Sequence, residues 1–240
     1  MLYSTLIFAK RKEDTHMQVT PKTANETNRE YALRVIRDNI IHLQIKPGSL
    51  IGEQELAYEL GLSRTPVHEA LLELSKSKIV DILPQKGCRV SMIDSALIEE
   101  ARFLRTTVES ALVEMACTLA TEEDFRALEN NLKLQEFYLA NPGPEKIFDL
   151  DNEYHMMLYR ICNKMQCYYM VRLMSLHFDR VRNMSLYSVK ELKIVADHRM
   201  LFEAIKAGDK DAAREALHKH LARFDLDIQE IRDHYPEYFA

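Results

Sequence analysis

Apolar residues recur at helical spacing along most of the chain, and the exceptions fall in one short stretch. Tyr31, Val35, Ile36, Ile40, Ile41 and Leu43 predict a leading amphipathic helix that Lys46-Pro47-Gly48 ends. Leu56, Ala57 and Leu60 form one face of a second helix, with Gly61 supplying the left-handed conformation that closes it. Val67, Ala70, Leu71 and Leu74 mark a third helix opened by Ser63, whose hydroxyl is expected to accept from the first-turn amides; Pro66 costs no intrahelical bond so early. The period then changes. Ile79 to Leu83 and Cys88 to Ile93 are alternating, β-branched runs, and Pro84-Gln85-Lys86-Gly87 between them predicts a hairpin loop.

From Asp94 onward the helical period returns, and about six helices with no strand are expected. Leu97, Ala101, Leu104, Val108, Leu112, Met115 and Leu119 stripe the first, and Thr121 caps a second that runs towards Leu139. Asn141-Pro142-Gly143-Pro144 breaks the chain; Ile147 to Cys162, Tyr168 to Tyr187, Glu191 to Ala207 and Lys210 to Ile231 follow. The sum is a mainly α chain: an N-terminal arm (1–27), a winged helix-turn-helix domain (28–93) and an all-α antiparallel helical bundle (94–240), a fold that houses ligands between its helices.

The turn between the second and third helices leaves Arg64, Thr65 and His68 facing outward near a helix N-terminus. That position reaches base edges in a helix-turn-helix, where Arg can make paired hydrogen bonds to guanine. An ordinary helical hairpin with a solvated polar face has the same local pattern. The basic hairpin that follows favours the winged arrangement, with Lys86 and Gly87 at its tip approaching phosphates or the minor groove.

Charge qualifies this reading. The net charge is −5, yet residues 22–92 hold 10 Lys/Arg against 9 Asp/Glu, whereas residues 93–240 hold 19 against 26. The acidity belongs to the bundle, and a near-neutral reader gains useful affinity from two copies acting on a divided site. At 240 residues and 47% hydrophobic content, the chain can fill two cores. Cys88, Cys117, Cys162 and Cys167 form no CxxC pair and are expected as reduced, buried thiols in a cytoplasmic protein. Leu2 to Ala9 is apolar but precedes Lys10-Arg11-Lys12, the wrong order for a secretory signal and too short to span a bilayer. Lys12 to Asn28 is expected as a loosely ordered arm, with Met17 an alternative start, and no membrane segment is expected elsewhere.

In the bundle, Asp151 and His155 lie four apart on one helix, while His198 and His220 sit on two later helices that short connections bring alongside. Three imidazoles and a carboxylate suit a divalent transition metal, zinc before nickel, with open positions for water or a ligand. From spacing alone, a surface helix pair is the commoner reading of Asp151 and His155.

These patterns resemble two known domains. Asn28 to Ile93 resembles the DNA-binding domain of the GntR family of bacterial transcription regulators, through Leu62-Ser63-Arg64-Thr65-Pro66-Val67 together with Gly48, Leu50, Glu53, Leu56-Ala57 and the Pro84 to Gly87 loop. The resemblance implies DNA contact by Gln54, Ser63, Arg64, Thr65, His68, Lys86 and Gly87. Three positions depart from the family: His68 stands where Arg is usual, Gln54 where Arg is frequent, and Lys78 where Gly is usual. Asp94 to Ile231 resembles the all-helical FCD effector domain of the FadR-like branch. That implies Asp151, His155, His198 and His220 as metal ligands, with Asp197-His198-Arg199, Leu201 to Asp209 and His220-Leu221 in support; His218 faces elsewhere, and Asn163 matches a recurrent structural position. Arg105 matches an Arg that points into the effector cavity, where its planar fork suits a carboxylate; an ion pair with Glu109 is the other reading.

The expectation is a metabolite-responsive regulator rather than an enzyme, repressing as a homodimer on an inverted repeat of duplex DNA and released by a small organic acid. Two alternatives are a metal-dependent, hydrolase-like enzyme fused to a DNA reader and a constitutive DNA-binding protein with a purely structural metal.

Overall fold

The computed structural model describes residues 17–84, 87–141, 144–188 and 193–240, and these divide into two compact units. The first comprises the residues up to Ser95 together with Tyr235–Ala240; the second is Ala96–His234. The C-terminal residues, read from sequence as part of the bundle, are held in the first unit by backbone bonds: Ile93 N–H donates to Tyr238 O (2.7 Å) and Ala240 N–H to Ile93 O (3.0 Å).

In the first unit, α1 (Asn28–Ile41) starts at a capping box in which Thr27 Oγ1 accepts from Glu30 N–H and Glu30 Oε2 accepts from Thr27 N–H. It ends earlier than Lys46, because Asn39 O accepts from both Gln44 and Ile45 N–H while Leu43 turns to a φ of 58°. Residues 17–27 are tied down rather than loose. Asn39 exchanges hydrogen bonds with the Gln18 backbone, and Arg34 binds Thr20, Pro21 and Glu26.

The turn expected between the next helices is present: α2 (Glu53–Leu60) closes at Gly61 (φ 65°), with Leu62 N–H donating to Ala57 O, and α3 (Arg64–Lys76) buries Val67, Ala70, Leu71 and Leu74 against α1. Ser63 holds the N-cap position with extended backbone, but its exposed hydroxyl makes no capping bond, contrary to expectation. The wing is a three-stranded antiparallel sheet. β1 (Leu50–Ile51) is a strand missed in the sequence; with β2 (Val80–Leu83) and β3 (Gly87–Val90) it gives the order β1-β3-β2, with Leu83 opposite Gly87 and Ile51 opposite Cys88.

The second unit contains eight described helices where about six were expected: α4 (Ser95–Leu119), α5 (Glu122–Ala140), α6 (Pro144–Ile161), α7 (Met165–Met174), α8 (Leu176–Ser188), α9 (Ile194–Ala207), α10 (Lys210–Ala222) and α11 (Phe224–His234). The extra breaks have local causes. Ser175 Oγ bonds back to Val171 O and separates α7 from α8, and Arg223 N–H bonds three residues back to His220 O between α10 and α11. Asn163, with φ 52°, turns the chain after α6. Leu112, Leu128, Leu132, Tyr154, Leu158, Leu201, Phe202 and Leu217 pack together as the core. Cys88 and Cys162 are buried, but Cys117 is half-buried and Cys167 exposed, so the four thiols are free without all being interior. No described helix is long and apolar enough to cross a membrane.

Candidate functional site

On the first unit, α2 and α3 present Gln54, Ser63, Arg64, Thr65 and His68 to solvent. Glu53, the first residue of α2, binds two of them: Oε1 lies 2.7 Å from His68 Nδ1, and Oε2 accepts from Arg64 Nη2 at 3.3 Å. Hydrogen bonding to His68, then to Arg64, holds the Glu53 carboxyl below the usual carboxylate range despite partial burial. Gly87 has a structural role that the sequence reading did not assign. Its φ is 89°, and a Cβ there would meet the Ile51 carbonyl oxygen at 3.0 Å, so the residue lets β1 approach β3 rather than only forming a tip. Lys86 lies outside the described residues.

In the second unit, Asp151 and His155 on α6, His198 on α9 and His220 on α10 converge, each at most 3% exposed. One ligand atom from each lies within 4.8 Å of the others. The surface-pair reading is thereby excluded by burial. His155 Nε2 lies 3.0 Å from His220 Nε2 and 3.4 Å from His198 Nε2; Asp151 Oδ1 is 3.4 Å from His198 Nε2 and 3.8 Å from His220 Nε2.

Outer partners assign the protons. His198 Nδ1 donates to Gln135 Oε1 (2.8 Å), which leaves Nε2 as its lone-pair nitrogen. Gln135 Nε2 donates to Asn131 Oδ1, and Asn131 Nδ2 to Leu150 O, so α5 and α6 brace this orientation. His155 Nδ1 lies 2.8 Å from Oε2 of the ionised Glu109, and a contact with a carboxylate places the His155 proton on Nδ1. Two imidazole lone pairs therefore face one another at 3.4 Å beside a buried carboxylate oxygen, Asp151 Oδ1, that has no hydrogen-bond donor among the described residues. His220 Nε2, 3.0 Å from His155 Nε2, can donate to one of these lone pairs, but the buried Asp151 oxygen is left for a cation to satisfy. Metal bonds of about 2.1 Å put ligand atoms about 3.0–3.4 Å apart between right-angle and tetrahedral arrangements, which matches three of the four spacings, the Asp151–His220 one being wider at 3.8 Å. Burial, then the neighbouring imidazoles with Arg105 and Arg182, pushes His198 and His220 far below the ordinary histidine range; burial followed by Arg105 lowers His155, with Glu109 opposing. All three imidazoles are thus kept neutral, the form that ligates.

A cavity of about 280 Å³, including its mouth, adjoins the cluster and is lined by His155, Arg105, Tyr159, Arg172, Asp179 and Arg182 among others. Arg105 Nε donates to Glu109 Oε1 (2.9 Å), the ion pair expected as one reading, and the residue also lines the cavity. Burial would raise Glu109, but Arg105 and His155 hold it at about 2. Arg182 binds the second oxygen of Asp151 as well as Asn152 and Asp179. Gln135, Asn131 and Arg182 were not identified from the sequence, and Glu109 was read there only as a partner for Arg105, not for His155. Their signal is a polar residue on an otherwise apolar helical stripe, as in Leu128-Asn131-Leu132-Gln135 on α5. His218, set aside earlier, bonds Ser110 at the surface.

Comparison with known proteins agrees with both units. Residues 29–90 match the gntR family of bacterial regulatory proteins, and residues 100–223 match the FCD domain. An uncharacterized HTH-type transcriptional regulator in an unstable DNA locus of Streptomyces ambofaciens is 34% identical, covering 91% of this chain and 92% of its own. The HTH-type transcriptional repressor RspR of Escherichia coli is 29% identical over 86% of this chain and 91% of its own. The solved structure of E. coli McbR/YncC superposes with a TM-score of 0.74 at 20% identity, over 88% of this chain and 99% of that one, a likeness of fold. These relatives are transcriptional regulators, which removes the fused-enzyme alternative. The chain belongs to the GntR family of bacterial transcriptional regulators, in the FadR-like branch whose DNA-binding domain is followed by an FCD domain.

Proposed function

We propose that this regulator is a repressor that senses a small organic acid through a divalent metal held by Asp151, His155, His198 and His220, and that it binds an inverted-repeat operator as a homodimer through Gln54, Ser63, Arg64, Thr65, His68, Lys86 and Gly87. The observation that carries the sensing half is the buried, donor-poor Asp151 Oδ1 among neutral imidazoles, next to an Arg-lined cavity. Repression is supported by the name of the E. coli relative, a repressor. Zinc suits the three nitrogens and one oxygen best, with nickel second.

A divalent ion bound there supplies a Lewis-acidic position for one oxygen of the acid. The chain's own residues do the rest. Arg105 offers a guanidinium for a second carboxylate oxygen, its Nε already oriented by Glu109. Tyr159 O–H donates to the same Glu109 oxygen (3.3 Å) and keeps that carboxylate turned towards Arg105. Ligand changes DNA affinity by its preference between two arrangements of the protein.

The test is operator binding by fluorescence anisotropy with metal-loaded protein, titrated with a panel of small carboxylates. One acid should weaken binding at least about fivefold, the lower range of allosteric coupling, and Arg105→Met should abolish the response while leaving acid-free operator binding intact. Operator affinity indifferent to every acid, with metal bound, refutes the sensing role and leaves the structural-metal alternative.

A further inference from the structure

We infer that His68 reads DNA as a hydrogen-bond acceptor, fixed in that role by Glu53, and that the operator offers it an exocyclic amino group, adenine N6 or cytosine N4. The inference rests on α3 being the helix that enters the groove, as proposed above.

A carboxylate can only accept, so the 2.7 Å contact between Glu53 Oε1 and His68 Nδ1 requires the proton on Nδ1. A neutral imidazole carries one N–H, which leaves Nε2 with a lone pair. Nε2 has no partner among the described residues, and the His68 side chain is 49% exposed, against 20% for Glu53. The carboxylate is the less exposed anchor and the ring edge is the presented surface. The other oxygen of Glu53 holds Arg64, whose side chain is 68% exposed. One carboxylate thus fixes two neighbouring side chains of opposite character, a guanidinium that only donates and an imidazole nitrogen that accepts.

The consequence for sequence is specific. In the major groove guanine offers two acceptors to Arg64, whereas an amino group is offered only by adenine or cytosine. Guanine O6 and N7, or thymine O4, would set lone pair against lone pair at Nε2 and be rejected. Arg64 and His68 are four residues apart, about 6 Å along the helix, or about two base steps of 3.4 Å. A half-site should therefore contain guanine with adenine or cytosine about two positions away on the tracked path.

The experiment selects operators from randomised duplexes with the full chain at pH 8.5 and fixed salt, and then measures affinity for base analogues in the selected site. Purine in place of adenine, or 2-pyrimidinone in place of cytosine, deletes the amino group; 7-deazaadenine deletes only N7. The expected result is that loss of the amino group weakens wild-type binding roughly tenfold, the scale of one hydrogen bond, that 7-deazaadenine is silent, and that His68→Ala is insensitive to both. His68→Arg should move the preference at that position to guanine. Glu53→Met should lose the amino-group discrimination while remaining folded by circular dichroism, and Glu53→Gln, which keeps a carbonyl acceptor, should recover part of it. A site indifferent to the amino group, or a second guanine whose 7-deaza analogue weakens wild type but not His68→Ala, overturns the role given to His68. A folded protein that enriches no sequence refutes the DNA-reading assignment beneath it, and this inference with it.

Discussion

Replacing Gln135 with leucine keeps the side-chain volume in a site that is fully buried but removes both of its hydrogen bonds. Two groups are orphaned: His198 Nδ1–H loses its acceptor at 2.8 Å, and Asn131 Oδ1 loses its donor at 2.6 Å. Each buried, unsatisfied group costs about 1–3 kcal/mol, so the metal-free protein should lose about 2–6 kcal/mol, less what the apolar leucine regains. At about 3 °C per kcal/mol, the lower part of that range already lowers Tm by about 6 °C. The more telling effect is on the metal, since His198 is then free to rotate or to carry its proton on Nε2. Loss of such an outer partner lowers metal affinity about 10–100-fold. Competition with a chromophoric chelator measures that affinity directly, and Gln135→Glu, which keeps an acceptor towards His198, should retain most of it. A Gln135→Leu protein that melts earlier but binds zinc as tightly as wild type would refute the claim that this chain of bonds orients the ligand.

Other expectations concern the DNA-binding unit. Lys78 holds a φ of 59°, so Lys78→Gly should raise the melting free energy by up to about 1 kcal/mol, measured by chemical denaturation. Gly87→Ala should do the reverse, costing about 1–3 kcal/mol from positive φ alone, with a further penalty from the 3.0 Å approach to Ile51 O; an unchanged Tm would mean that the wing is not built this way. The two-pronged bond from Arg34 holds Glu26 at about 2, below an unfolded value of about 4.3. The sign follows: the pair's contribution is complete above the unfolded value and is lost as pH falls through about 2. A carboxyl NMR titration should find that midpoint and show it return to the ordinary range in Arg34→Met.

The helix-turn-helix was legible because its signals are local. Leu56, Ala57 and Leu60, the turn at Gly61, and Val67 to Leu74 each lie within a few residues of what they specify. β1 was not legible, since two residues carry no period and their partners, Cys88 and Arg89, come much later in the chain. The breaks at Ser175 and Arg223 were hidden because the apolar period runs through them; a side-chain back-bond and a tightened turn decide them. Among the site residues, the i, i+4 relation of Asp151 and His155 was visible, whereas convergence with His198 and His220 depended on packing that no spacing encodes. Gln135 lies on a stripe that reads as core and Glu109 was visible only as a partner of Arg105, so their contacts with His198 and His155 emerge from packing alone.

The central claim is that the four buried side chains form a metal centre. The most direct measurement is the metal content of the purified chain by elemental analysis, alongside Asp151→Ala and His198→Ala. The account predicts close to one divalent transition metal per chain in wild type and its loss in both variants, with chelation lowering the wild-type Tm and re-addition restoring it. A folded wild type that holds no metal after incubation with zinc or nickel, or variants that retain it in full, would contradict the account.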